Sequence, residues 1–232
     1  MKTNRILCIS LLCAALAGNI LFTSCSKEEK KKDPETSSAQ GDWKATNLNL
    51  QIMNAKYDVN LQDKNQRLAT LKPLFALVDK EFVPARAAQV KDLFGVLTNL
   101  SGSVTYHLQA EGKALIDVPG KDKPITGTWV ETDEEVTIKL DNPVLPKELT
   151  EGNVGIVSSL LFAKDLKLSK SEGKLLHKFI MGNVLQPLID AWSKAPDGET
   201  PEQKKVREEQ VAKLKMFNTI ASKTPIIITL AR

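Results

Sequence analysis

The sequence is poor in cysteine. Of its three cysteines, Cys8 and Cys13 lie inside an apolar leader, so a chain cut after that leader keeps Cys25 alone. Whatever follows must hold together without covalent cross-links, although an exported protein would be free to use them. Histidine is also scarce: His107 and His177 are the only two, the first on the expected outer face of a strand and the second in an expected helix. Neither has metal-ligand spacing around it, so no metal or other cofactor is expected. There is no G-x-S-x-G, no H-E-x-x-H and no phosphate-cradling loop, and "EGNVGIV" has glycines without the lysine such a loop needs. Paired carboxylates could meet only in the fold, and with no visible nucleophile or base the chain reads as a non-enzyme. Charge of one sign is lacking too. The net charge is +4, of which Lys2 and Arg5 belong to the leader, leaving +2 and no concentrated basic face for nucleic acid.

What is present begins with Lys2 and Arg5, a nearly unbroken apolar run from Ile6 to Phe22, and the small residues Thr23 and Ser24 before Cys25. This is the layout of a secretory signal peptide, residues 1–24, removed from the mature protein. A spanning helix is the alternative, since about 17 apolar residues just reach the lower limit for a bilayer. The following "SKEEKKKDPETSSAQ" has too few apolar residues to fold and reads as a flexible tether over residues 25–40.

"LFTSC" resembles the lipobox of bacterial lipoproteins, in a loose form familiar in the Bacteroidetes. Leu21 stands one place further from the cysteine than the usual leucine. The resemblance implies cleavage before Cys25, a diacylglycerol on its sulfur and, usually, acylation (palmitate-like chains) of the new amino terminus. Two or more acyl chains give stable anchoring where one gives only marginal binding. A free thiol is the alternative reading of Cys25. "SKEE" after the cysteine resembles the acidic export signals of surface-exposed lipoproteins, so an outer-membrane protein facing the cell surface is one expectation and a periplasmic one the other.

The remaining residues, 41–232, are enough for one well-cored domain. In "WKATNLNLQI", Leu48, Leu50 and Ile52 alternate on one face of a strand, and "KYDVNL" can return beside it. From Asp63 the period becomes helical, with Asp63 and Gln66 placed like a capping box and Pro73 placed to bend the helix; Pro84 suits a second helix start. Helices are predicted over roughly 64–100. "SVTYHLQA", "KALIDV", "PITGTWVE" and "EVTIKL" then alternate apolar and polar, with turn residues between them, as an antiparallel meander. Residues 154–168 are ambiguous, with a strand ending in "DLKL" as one reading. Ser169 and Glu172 signal a further helix through Trp192, Thr200, Pro201 and Gln203 start another, and a second helical insertion is predicted near 170–222. "TPIIITLAR" closes the chain as a β-branched strand.

Strand first, meander in the middle and strand last favours a closed antiparallel sheet, in which the terminal strand pairs with the first and no edge is left exposed. "GDWKATNLNL" resembles the G-x-W opening of lipocalin-like barrels, and the meander resembles small lipocalin-like lipoproteins of the Bacteroidetes. The resemblance implies an α+β chain, mainly antiparallel β, built as a lipocalin-like β-barrel with inserted helices; an open α+β sheet and a β-sandwich are the alternatives. It implies that Trp43 plugs one end with Arg232 stacked across it. Tyr106 and Trp129, facing inward, are candidates for core packing or for lining a small apolar ligand in the barrel mouth. Two functions follow: an anchored binding module for a small apolar ligand or lipid, or a structural lipoprotein that docks an envelope partner through its helices. If Cys25 carries the anchor, Cys25→Ser is expected to abolish incorporation of labelled palmitate; continued acylation of that variant would overturn the assignment.

Overall fold

The computed structural model describes residues 38–232 apart from 53–54, 121, 142–144, 146, 222 and 224, so Cys25, the leader and most of the tether lie outside the described residues. The strands are β1 (Gly41–Ile52), β2 (Ala55–Asn60), β3 (Thr105–Leu108), β4 (Lys113–Asp117), β5 (Ile125–Glu131), β6 (Glu135–Leu140), β7 (Asp165–Ser171), β8 (Lys174–Ile180) and β9 (Pro225–Ala231). The helices are α1 (Lys64–Glu81), α2 (Pro84–Ser103), α3 (Gly152–Leu161), α4 (Met181–Ser193) and α5 (Pro201–Ala221).

Every strand pairing is antiparallel. From β3 each strand pairs with the next through to β9, and β9 returns to β1, with Lys44 opposite Ala231 and Asn49 opposite Ile227. Since β1 also pairs with β3 through residues 41–44, the sheet closes into an eight-stranded barrel of lipocalin-like form. β2 stands outside that ring, as the return arm of a hairpin on the far half of β1.

β1 solves a parity problem. Trp43 and Ala45 are buried, and so are Leu48, Leu50 and Ile52, yet an unbroken strand cannot turn odd and even positions to the same side. The register of β1 against β9 shifts between Ala45 and Asn47, and this bulge exchanges the faces.

In an up-and-down barrel alternate connections lie at the same end. Those at one end are short: 109–112, 132–134 and 172–173. Those at the other carry all five helices, α1–α2 between β2 and β3, α3 between β6 and β7, and α4–α5 between β8 and β9. The helices pack on one another there as a cap, and their inner faces join the barrel interior in one continuous core.

Local chemistry accounts for the helix starts. Asp63 caps α1 by accepting from the amides of Asn65 and Gln66 at 2.8 and 3.0 Å, while the Gln66 side chain accepts from Asn60 rather than completing a capping box. α1 runs through Pro73 without ending. Thr200 and Gln203 form a reciprocal box at the start of α5.

Two expectations need correction. The helical insertion predicted near 170–222 begins only at Met181, because "KLLHKFI" is the strand β8. Glu172 and Gly173, with φ of 48° and 73°, make the two-residue hairpin that turns β7 into β8, and Leu175, His177 and Phe179 then alternate inward. Their spacing also fits a helix for one turn, which is why the period alone misassigns them. Likewise 152–161, ambiguous in sequence, is α3, and Gly155 lets its first turn approach Thr150.

Gly127 has the least room in the barrel wall. A Cβ there would run into the Lys139 carbonyl oxygen and lie 3.1 Å from Leu140 Cα on the paired strand. Gly127→Ala is expected to destabilise the fold by about 1–3 kcal/mol, read from urea unfolding; an unchanged midpoint would contradict this packing.

Candidate functional site

The short-looped end of the barrel is sealed by the N-terminal segment. Trp43 sits 3% exposed at the start of β1 and donates its indole N–H to the Ala39 carbonyl at 2.7 Å. The guanidinium carbon of Arg232 lies 4.7 Å from the Trp43 ring centroid, and Arg232 donates to the Ser38 carbonyl. The Ala39 amide donates to both carboxylate oxygens of Glu131 at 3.0 Å, and Lys170 donates to the same carboxylate at 2.7 Å. Burial alone would raise the Glu131 pKa, but the Lys170 and Ala39 hydrogen bonds and the charges of Lys170 and Arg232 hold it below the usual carboxylate range. This end is a fully bonded lid, and the depression of about 270 Å³ beside it, lined by Trp43 and by residues 170–175, opens outward.

Tyr106 faces Trp43 across the β1–β3 ladder and is 2% exposed; burial pushes its phenol pKa up. Trp129 is half-buried near the same end and donates its indole N–H to the Gln109 carbonyl at 2.9 Å. The structure thus gathers Trp43, Tyr106 and Arg232 around one barrel end and leaves Trp129 beside the neighbouring hairpin. These side chains fill and close the end.

The interior between the two ends is filled as well. Leu48, Ile116, Val136, Ile138, Leu168 and Leu230 are each 0% exposed, so no water-sized void lies against them. The cap closes the far end with Phe94, Leu97, Val157, Leu161, Val184 and Leu185.

The two histidines take contrasting places. His107, on the outer face, spans three strands: Nδ1 lies 2.7 Å from Asp42 on β1 and Nε2 lies 2.9 Å from Asp117 on β4. Burial would lower its pKa, but the hydrogen bonds and charges of both aspartates raise it. The carboxylates occupy opposite nitrogens, an arrangement that clamps an imidazolium and leaves no lone pair for a metal. His177 is not helical; it points into the core from β8, its ring edge-on to Phe179 at 5.5 Å and its Nδ1 unpartnered. Burial lowers its pKa to about 4.

Openings of the kind a ligand needs occur on the cap. A narrow apolar groove of about 110 Å³ runs between α1 and α5, lined by Leu77, Phe82, Met216, Phe217 and Ile220. A wider pocket of about 430 Å³ lies where the N-terminal ends of α2 and α5 meet, lined among others by Arg86, Arg207 and Gln210. No sequence spacing links these three residues; the single local signal is an arginine in the first turn after Pro84. Compared with protein-family models, curated proteins and solved structures, the chain finds no match in any of the three.

His177 generates a pH prediction with a definite sign. Below the ordinary histidine pKa the unfolded chain takes up a proton that the folded chain refuses until about pH 4. Stability from this group is therefore complete at neutral pH and falls as pH drops from 6.5 towards 4, by about 3 kcal/mol at most. His107 has the opposite sign: its stabilisation is present in acid and is lost as pH rises through its raised pKa. His177→Leu is expected to flatten the acid-side decline in urea-unfolding free energy between pH 7 and 4.5; an undiminished decline would contradict the burial of an uncharged ring.

Proposed function

We propose that the protein is a cell-envelope lipoprotein, anchored through acyl chains on Cys25, that acts as a non-catalytic binding module with its recognition surface on the helical cap. The observation that carries this reading is the contrast between the two parts of the fold. The barrel is filled and closed at both ends, with Val130 and Ile180 exposed singly on its strands, whereas on the cap exposed apolar side chains line openings: Val83 and Val206 the wider pocket, Met216 and Ile220 the α1–α5 groove. Apolar side chains grouped around such openings mark a site for an apolar ligand or partner.

Ser38 and Ala39 are bonded to the lid at the end opposite the helices, so the tether joins the domain away from the cap. Thirteen residues, 25–37, could span up to roughly 45 Å when extended, enough to clear a membrane surface. Among the described residues no helix is long and apolar enough to cross a membrane. The non-catalytic part draws on the histidines, one clamped by carboxylates on both nitrogens and the other sealed in the core.

A ligand inside the barrel would require the cap to lift away from the core it completes. A second reading, docking of an envelope protein, is favoured by the α1–α5 groove, whose size suits one inserted apolar group such as a partner's side chain.

Lipid mass spectrometry on protein purified from its native membrane separates the readings. A small apolar molecule is expected to copurify with the wild type and to be lost from a variant carrying Val206→Asp and Met216→Asp, one substitution in each opening of the cap. Retention of that molecule by the variant would sink the cap as the binding surface. A cross-linked protein with no small molecule would support the second reading.

A further inference from the structure

α2 begins at an electrostatic disadvantage. Its N-cap, Val83, has no side-chain acceptor, and the Val83 amide is satisfied from α5, by Gln210 Oε1 at 2.9 Å. Helix N-termini carry partial positive charge and favour acidic residues, yet the first turn of α2 has none and holds Arg86 instead. Arg86 is not released into solvent. It is half-buried, its guanidinium carbon lies 4.7 Å from the Trp192 ring centroid, and its one hydrogen bond among the described residues goes to Gln89 at 3.3 Å. Burial and the nearby Arg207 both lower its pKa, so its surroundings oppose the charge it carries.

Arg207 does not share this predicament. It donates Nε and Nη2 to Glu199 at 2.7 and 3.0 Å and Nη1 to the Ser193 carbonyl at 3.2 Å. Glu199 is thus taken by Arg207 alone, and among the described residues no carboxylate pairs with Arg86. A held, uncompensated cation is a local conflict of the kind found at functional sites.

The pocket of about 430 Å³ in front of Arg86 is within the size range of small-ligand sites. Its lining includes Gln210, only 4% exposed, whose carbonyl is taken by Val83 and whose NH₂ has no protein acceptor among the described residues. A buried amide donor and a fixed guanidinium thus line the same space. Val83 and Val206 supply apolar wall, and Arg207 completes the far side with its charge already matched. Glu202 stands exposed in the lining as the remaining charge, and it weighs against a doubly charged phosphate.

Resting on the reading of the cap as the binding surface, we infer that this pocket binds a small amphiphilic monocarboxylate, its carboxylate on Arg86 and the Gln210 amide and its apolar body against Val83 and Val206. A planar guanidinium can hold a carboxylate through two parallel hydrogen bonds, and the contact with the Trp192 ring holds the group in place in advance.

The test titrates [1-13C]octanoate into the intact protein, with octan-1-ol as the neutral analogue. A saturable shift of the carboxyl resonance is expected, which octan-1-ol does not reverse. Arg86→Leu should weaken binding roughly tenfold or more, and Arg86→Lys, which keeps the charge but not the fork, should weaken it less. If Arg86→Leu disturbs the fold, seen as a lost thermal transition, Arg86→Lys carries the comparison. Unchanged affinity in the Arg86 variants, competition by octan-1-ol, or no saturable shift would each overturn the site. Binding kept in the Arg86 variants but lost in Met216→Asp would place the ligand in the α1–α5 groove, overturning this pocket while the binding-module reading stands.

Discussion

The ladder between β1 and β9 is the interaction on which the rest depends. It joins residues nearly the whole chain apart, Lys44 with Ala231, and turns an open meander into a barrel. Such a pairing costs more loop-closure entropy than any local hairpin, and since no cysteine follows residue 25 no disulfide between the two strands can share the cost. It is held by the burial of Ile226, Ile228 and Leu230 against the inward face of β1, and by a cap whose inner faces share the same core. The bulge between Ala45 and Asn47 belongs to the same constraint. Without it, either the tryptophan of the lid or the leucines of the barrel would face water.

Closure then dictates where everything else can go. Alternate connections of an up-and-down barrel share an end, so one end receives hairpins and the other receives every long insertion. The hairpin end is completed by hydrogen bonds and stacked charge: Trp43, Arg232, Glu131 and Lys170. The helical end is completed by apolar packing. These are different solutions to one problem, the open mouth of a barrel, and the second leaves crevices between its helices. Helices meeting at angles cannot match side chain for side chain over their whole length, and the N-terminus of α2 adds positive charge that no acidic residue of its first turn offsets.

Much of the barrel was legible because its signals are short-range. Val104, Tyr106 and Leu108, or Val136, Ile138 and Leu140, alternate within a few residues and are bounded by turn chemistry, and the G-x-W opening marks where the lid would form. The failures share a cause. "KLLHKFI" fits both periods over seven residues, and the deciding feature is the positive-φ pair Glu172–Gly173, which reads equally as a helix-capping signal. "GNVGIVSSLL" has glycines where a helix is weakest, and its helicity comes from packing against α2. The Arg86 pocket was not legible, because residues 86, 199, 207 and 210 meet only after α2 and α5 have docked on one barrel end. His177 was misplaced for the same reason as its strand.

The attachment of Ser38 and Ala39 at the hairpin end has a mechanical consequence. β1 starts there and runs twelve residues towards the cap, with partners on both flanks. A pull applied at residue 38 and resisted at the cap acts along the strand axis, so it loads the β1 ladders in shear. Many hydrogen bonds must then yield together, whereas a pull across the sheet would peel them singly. The element that closes the ring is thus also the one best oriented to bear tension along it.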